Sequence, residues 1–268
     1  MMEEAMRPLL VTISVCAAIW NSGPVEAQTP ADQHCLFGCP QGTPAANQLI
    51  ARSIYALSNN PTTKFADWVA YRVNQNNLTG PSRTRNWQLD PDLSAADTIT
   101  PNEYQSANEM LRVDRGHQAP LAAFKGHQNW EMTNFLSNIT PQFSKLNQGP
   151  WKNLEEAVRN LANATGQDVF VMTGPLYEWL MLKLPATDKD HTVPSSYWKI
   201  VAIQDGANVK AAGFYFYQTT PRGANYCDHM KTVDFIEAKS GLNVFSGFGN
   251  EADMESSEPT LKGELGCP

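Results

Sequence analysis

The chain is short of apolar runs, of positive charge and of cysteine. Its longest apolar stretch, Pro8 to Trp20, is too short to span a bilayer comfortably, and no later segment is longer, so an integral membrane protein is excluded as an expectation. Lys and Arg number 20 against 27 Asp and Glu, a net charge of −7. An acidic chain is a poor candidate for broad electrostatic capture of polyanions, so any phosphate recognition must rest on a few local arginines and a metal. No internal repeat or low-complexity segment appears, and nothing between Pro61 and Gly266 reads as an interdomain linker.

Residues 1–27 read as a secretory signal peptide. Arg7 precedes the apolar run, and Val25-Glu26-Ala27 offers small residues at the −3 and −1 positions of a cleavage site. A buried N-terminal helix is the alternative. Removing the leader takes Arg7 with Glu3, Glu4 and Glu26, or −2, and leaves −5. The expectation is a secreted protein whose residues 28–268 form one domain with a sizeable core.

Of five cysteines, Cys16 lies in the leader, leaving Cys35, Cys39, Cys227 and Cys267. An even number in an exported chain implies two disulfides, and the spacing suggests Cys35–Cys39 and Cys227–Cys267. Loop-closure entropy gives at most roughly 2 and roughly 4 kcal/mol for them. A zinc site using the Cys-x3-Cys pair with His34 is the alternative.

Gln28 to about Pro61, rich in Pro, Gly, Asn and Gln, reads as irregular, and Asn74 to Asp97 as loop. Lys64–Val73, Val169–Met172, Tyr197–Ile203 and Val209–Tyr217 have the β-branched and aromatic content of strands. Glu103–Leu111 suggests a short helix, and Val233–Lys239 another, closed by Gly241. Pro150–Ala164 is the clearest helix: Leu154, Val158 and Leu161 recur at i, i+4 and i+7, and Gly166 stops it. Strands without regular interleaving of helices suggest an α+β domain with a largely antiparallel central sheet flanked by helices.

Five histidines leave few candidates for proton transfer, and one is well placed. Asp114-Arg115-Gly116-His117 is answered by Leu146-Asn147-Gln148-Gly149 and Leu154-Glu155. His117 can deprotonate water near neutrality, and Gly116 before it suggests a sharp turn or a close approach to a metal. The Asn147 oxygen can hold a hard, largely hydrated cation, which suits Mg²⁺ and not zinc. Glu155 can order the waters of that cation, with Arg159 four residues on to steady it. Arg85 and Arg115 are candidates for the scissile phosphate, using the bidentate fork. Each piece has a blander reading: a lone Asp-Arg-Gly-His is an ordinary turn, and Glu155–Arg159 an ordinary surface pair. His127, His191 and His229 lack matching partners and read as solvated or structural. Trp87 and Trp151 lie near candidate site residues and are placed to line a cleft.

These segments, with Ser137–Gln142, Thr173-Gly174-Pro175-Leu176-Tyr177 and Thr84-Arg85-Asn86-Trp87, resemble the DNA/RNA non-specific endonucleases with a ββα-metal site. The likeness is greatest to the secreted Serratia-type nucleases and covers roughly Thr63 to Cys267. It implies a Mg²⁺-dependent endonuclease that cuts single- and double-stranded DNA and RNA to 5′-phosphorylated oligonucleotides, with the question of Mn²⁺ as a substitute open. It implies that His117 is the general base, Asn147 the sole direct protein ligand of the metal, Glu155 its carboxylate through water and Arg85 the transition-state arginine. Asp114 and Arg159 would be supporting residues, and a homodimer is common among such proteins. Two rivals remain: a phosphatase or phosphodiesterase of small esters using the same site, and a nucleic-acid-binding protein on a nuclease-like scaffold.

Overall fold

The computed structural model describes residues 30–206, 208–248 and 258–268. The expected signal peptide, 1–27, lies outside the described residues. In chain order the strands are β1 (Gln48–Ala51), β2 (Ala56–Asn59), β3 (Ala66–Val73), β4 (Val113–His117), β5 (Ile139–Phe143), β6 (Val169–Leu176), β7 (Ser196–Asp205), β8 (Asn208–Tyr217) and β9 (Met230–Lys231). The helices are α1 (Gln75–Leu78), α2 (Ala107–Leu111), α3 (Ser144–Leu146), α4 (Lys152–Thr165) and α5 (Val233–Ser240), with several 3₁₀ turns between them. Seven strands form one antiparallel sheet in the order β1-β2-β3-β6-β7-β8-β9, while β4 and β5 pair separately. The architecture is mixed α+β.

Both faces of the large sheet are covered, which explains why its central strands read as nearly continuous apolar runs. On β7, Tyr197 and Val201 face α4, whereas Trp198, Ile200 and Ala202 face α5 and the N-terminal loop. Leu154, Val158 and Leu161 of α4 are buried on that first face. Each stabilises by roughly 1.5–3 kcal/mol relative to exposure. A smaller cluster of Phe65, Ile99, Tyr104, Val113, Leu136 and Ile139 supports the β4–β5 pair.

Several local expectations are corrected. The stretch expected to be irregular holds β1 and β2, because β2 pairs with β3 and β1 with β2, which orders short sequences whose own strand signal is weak. The helix expected at 103–111 is broken where Ser106 adopts φ 59°, leaving a 3₁₀ turn over Pro101–Tyr104 and then α2. The helix expected from Pro150 begins at Lys152. It is preceded by a wide π turn over Asn147–Trp151, in which Gly149 is non-helical (φ −114°, ψ −118°). A Cβ on Gly149 would lie 2.5 Å from the Arg222 carbonyl oxygen, so that turn tolerates no side chain. Gly166 and Gly241 close α4 and α5 at φ 68° and 73°, as expected.

Cys35 is bonded to Cys39, and Cys227 to Cys267. The thiols that a zinc site would need are thereby consumed. Tyr226, next in sequence to Cys227, donates its hydroxyl to the Leu265 carbonyl at 2.6 Å and helps fix the C-terminal turn.

Candidate active site

The antiparallel register of β4 and β5 opposes His117 with Ile139 and Asp114 with Gln142. The chain then passes through α3 and the π turn into α4, so two strands and a helix enclose a cleft. The cleft measures about 720 Å³, and Arg85, Asp114, Arg115, His117, Asn147, Glu155 and Arg159 all line it. Every residue expected from the sequence to carry the chemistry is thus brought to one place, although Arg85 and Arg159 lie 74 positions apart in the chain.

Asp114 organises one wall. Its carboxylate accepts hydrogen bonds from Asn108 Nδ2 (2.7 Å), Ser144 Oγ (2.7 Å), Gln148 Nε2 (2.7 Å) and Asn147 Nδ2 (2.9 Å). A carboxylate can only accept, so the Asn147 amide must turn its nitrogen to Asp114 and its Oδ1 away. Gln148 is held from its other end by Arg222 Nη2 at 2.9 Å.

His117 ends the same strand as Asp114, with its ring centre 5.2 Å from that of Trp87. Burial, reinforced by the positive charge of Arg85, pushes its pKa down to about 4, and the Asn134 side chain partly opposes the fall. The imidazole is therefore neutral at pH 7 and able to take a proton. Gly116 is not at a turn: it lies within β4, and a Cβ there would meet Gln142 Cβ at 2.7 Å. The glycine is required by cross-strand packing.

Arg115 is caged. Its guanidinium carbon lies 5.2 Å from the Tyr104 ring centre and 5.6 Å from that of Trp87, and Nη2 donates to the Pro101 carbonyl at 3.0 Å. Arg85 is exposed at the cleft's rim on an extended loop. Glu155 is half-buried. Its proton affinity is raised by burial and opposed by Lys199, Arg159, Trp151 and Arg85. Arg159 forms no ion pair with it among the described residues, and its Nη1 is buried without a partner. Four-residue spacing on α4 brings the two charges into one cleft without joining them.

Trp151, expected near the cleft, is instead packed in the core against Tyr197 and Phe216. His191 is structural, accepting from the Leu184 amide at 2.9 Å, and His127 accepts from the Asn129 amide at 3.0 Å. His229 packs tilted against Phe216, with ring centres 4.7 Å apart. The Ser137–Gln142 motif works behind the site: Asn138 bonds both the amide and the carbonyl of Ala119, two residues past His117, at 2.8 and 2.9 Å. Asn134, Asn108 and Gln148 were missed as supporting residues. Only Gln148 had a signal, its place beside Asn147.

Charge is distributed against the chain's total. Among the described residues, Arg83, Arg85, Arg115, Lys125, Lys152 and Arg159 line the cleft against Asp114 and Glu155 alone. A recess with that balance, a neutral imidazole and an anchored amide suits a hydrolase of phosphodiesters. By sequence the chain belongs to the DNA/RNA non-specific endonuclease family, which residues 34–251 match. It is 46% identical over 250 residues to a nuclease of Serratia marcescens, covering 90% of this chain and 93% of that one. It is 33% identical to a nuclease of Nostoc sp. (87% and 90% covered) and 29% identical to mitochondrial endonuclease G of Bos taurus (75% and 70%). The fold also matches a chain in the crystal structure of the EndoG/EndoGI complex, with a TM-score of 0.68 at 19% identity, over 83% of this chain and 94% of that one.

Proposed function

We propose that this nuclease is a secreted, Mg²⁺-dependent endonuclease that hydrolyses DNA and RNA, single- or double-stranded, leaving 5′-phosphates. The observation that carries the reading is Asn147, clamped through Nδ2 by Asp114 with its oxygen turned away from that carboxylate, in the cleft that also holds the neutral His117.

The donor set fits a hydrated magnesium ion. Among the described residues no three His, Cys, Asp or Glu side chains gather to hold a metal, which disfavours zinc. One neutral oxygen with a nearby carboxylate suits a cation that keeps most of its waters. Asn147 would hold the ion directly and Glu155 through water. When bound, the ion would neutralise charge on the phosphate and on the departing oxygen. His117 takes the proton of the attacking water, and Arg85 and Arg115 bind the scissile phosphate and stabilise the charge that builds on it. Asp114 orients Asn147. Arg159 adds positive charge beside Glu155.

Export through the 1–27 leader, a single domain over 28–268 and a homodimer belong to the same proposal. The two disulfides support an oxidising compartment.

Digestion of circular plasmid and of RNA, with and without EDTA, tests the reading. Linearised and then fragmented plasmid, cut RNA and abolition by EDTA are expected; an intact circle would favour a phosphatase of small esters. His117→Ala should lose on the order of 10²–10⁴-fold in rate while still binding metal. Asn147→Ala should lose metal binding itself.

A further inference from the structure

In Ser196-Tyr197-Trp198-Lys199-Ile200-Val201 one charge stands inside a strand buried on both faces. Lys199 is 0% exposed and shares the α4 face of the sheet with Tyr197 and Val201. Its Nζ lies 4.1 Å from the Trp151 ring centre and 5.7 Å from that of Tyr71, and donates to the Tyr71 hydroxyl at 3.4 Å. Among the described residues no carboxylate forms an ion pair with it. A lysine in that position carries a large desolvation cost, and ring contacts with one long hydrogen bond do not offset it.

The missing compensation lies one helical turn away. Trp151 is the N-cap of α4 and precedes Glu155 by four residues, so the ring on which the ammonium sits neighbours the Glu155 side chain on the helix surface. Of the cations acting on Glu155, Lys199 is the strongest, ahead of Arg159 and Arg85. Arg159, the partner that helical spacing offers, keeps an unpartnered buried Nη1.

We propose that Lys199 is the buried counter-ion of Glu155, a positioning residue that holds this carboxylate at the floor of the cleft. It restrains Glu155 from closing onto Arg159 and so leaves it facing the cation's waters. The second part rests on the proposed role of Glu155 toward a divalent cation; the charge compensation beside Trp151 does not.

Two measurements on the full chain test this. The first is thermal unfolding in EDTA of wild type, Lys199→Met, Glu155→Gln and the double variant. Shifts in Tm should be far from additive, the double variant losing much less than the sum of the single ones; additive shifts would overturn the pairing. The second is Mn²⁺ binding, followed by electron paramagnetic resonance without nucleic acid. Lys199→Met should bind on the order of 10-fold more weakly, because Glu155 is then drawn to Arg159. Unchanged affinity would overturn the positioning role. Should Lys199→Met fail to fold, Lys199→Gln replaces it in both measurements. A wild type that binds no Mn²⁺ would refute the metal role of Glu155, and the thermal cycle would still decide the pairing.

Discussion

Asn147 gives its side-chain nitrogen to Asp114 across 2.9 Å, and the two are 33 residues apart. That bond sets which atom of the amide faces the cleft. Three further donors on the same carboxylate keep it from moving to meet the amide halfway.

Replacing Asp114 by Asn should therefore cost more than a charge. An amide at 114 can accept at only one of the two positions where the carboxylate accepts, so Asn147 could meet a donor there and sample the flipped orientation, with nitrogen toward the cation. Groups that orient a metal ligand typically contribute 10–100-fold in metal affinity or activity, and a loss in roughly that range is expected. Calorimetric titration with Mg²⁺ or Mn²⁺ checks it; wild-type affinity in Asp114→Asn would show that the clamp is dispensable.

His117 predicts two pH dependences. Its folded-state pKa of about 4 lies below the 6.5 of the free side chain. The acid limb of kcat/KM should accordingly have its midpoint below 6.5, and a midpoint at or above that value would contradict the assignment. For stability the sign follows from proton uptake: between pH 6.5 and about 4 the unfolded chain binds a proton that the folded chain refuses. Stability is then full above 6.5 and falls as the pH drops toward 4. His117→Asn cannot titrate and should flatten that slope, which urea midpoints at pH 7 and pH 5 measure.

Six cations line the cleft of a chain with net charge −7, so salt should act on substrate binding strongly and locally. Activity on DNA is expected to fall steeply from low to several-hundred-millimolar salt. Lys125→Gln with Lys152→Gln should make that dependence shallower, by close to one unit of logarithmic slope for each phosphate contact removed. A salt-independent rate in wild type would show that phosphate contacts are not limiting.

The Cys227–Cys267 bond closes a loop of sequence separation 40, for which chain entropy gives about 4 kcal/mol. Cys227→Ser with Cys267→Ser should lower Tm by several degrees while the cleft, built from other elements, keeps its activity at low temperature. Loss of activity with unchanged Tm would be the contrary result.

How much was legible varies by the range of the interaction. The period of Leu154, Val158 and Leu161 and the stop at Gly166 are local, so α4 could be read almost to its ends. Strands β3, β7 and β8 announced themselves by apolar runs for the same reason. By contrast β1 and β2 hold Gln, Ser and Asn and are strands because β3 offers an edge to β2 and β2 in turn to β1. The motif residues could be named because their order along the chain is distinctive, but naming them did not give their contacts.

What the sequence determined alone is the inventory: an acidic, disulfide-bearing α+β chain holding a histidine, an amide and a carboxylate at meaningful spacing. Tertiary structure decided which groups answer one another. It clamped Asn147 to Asp114, took Trp151 from the cleft into the core, and drew Lys199 to the α4 face of the sheet, while among the described residues Arg159 forms no ion pair with Glu155. The reason is physical. Periodicity fixes which face a side chain takes, whereas its partner depends on how strand register and helix packing bring distant segments within a few ångströms.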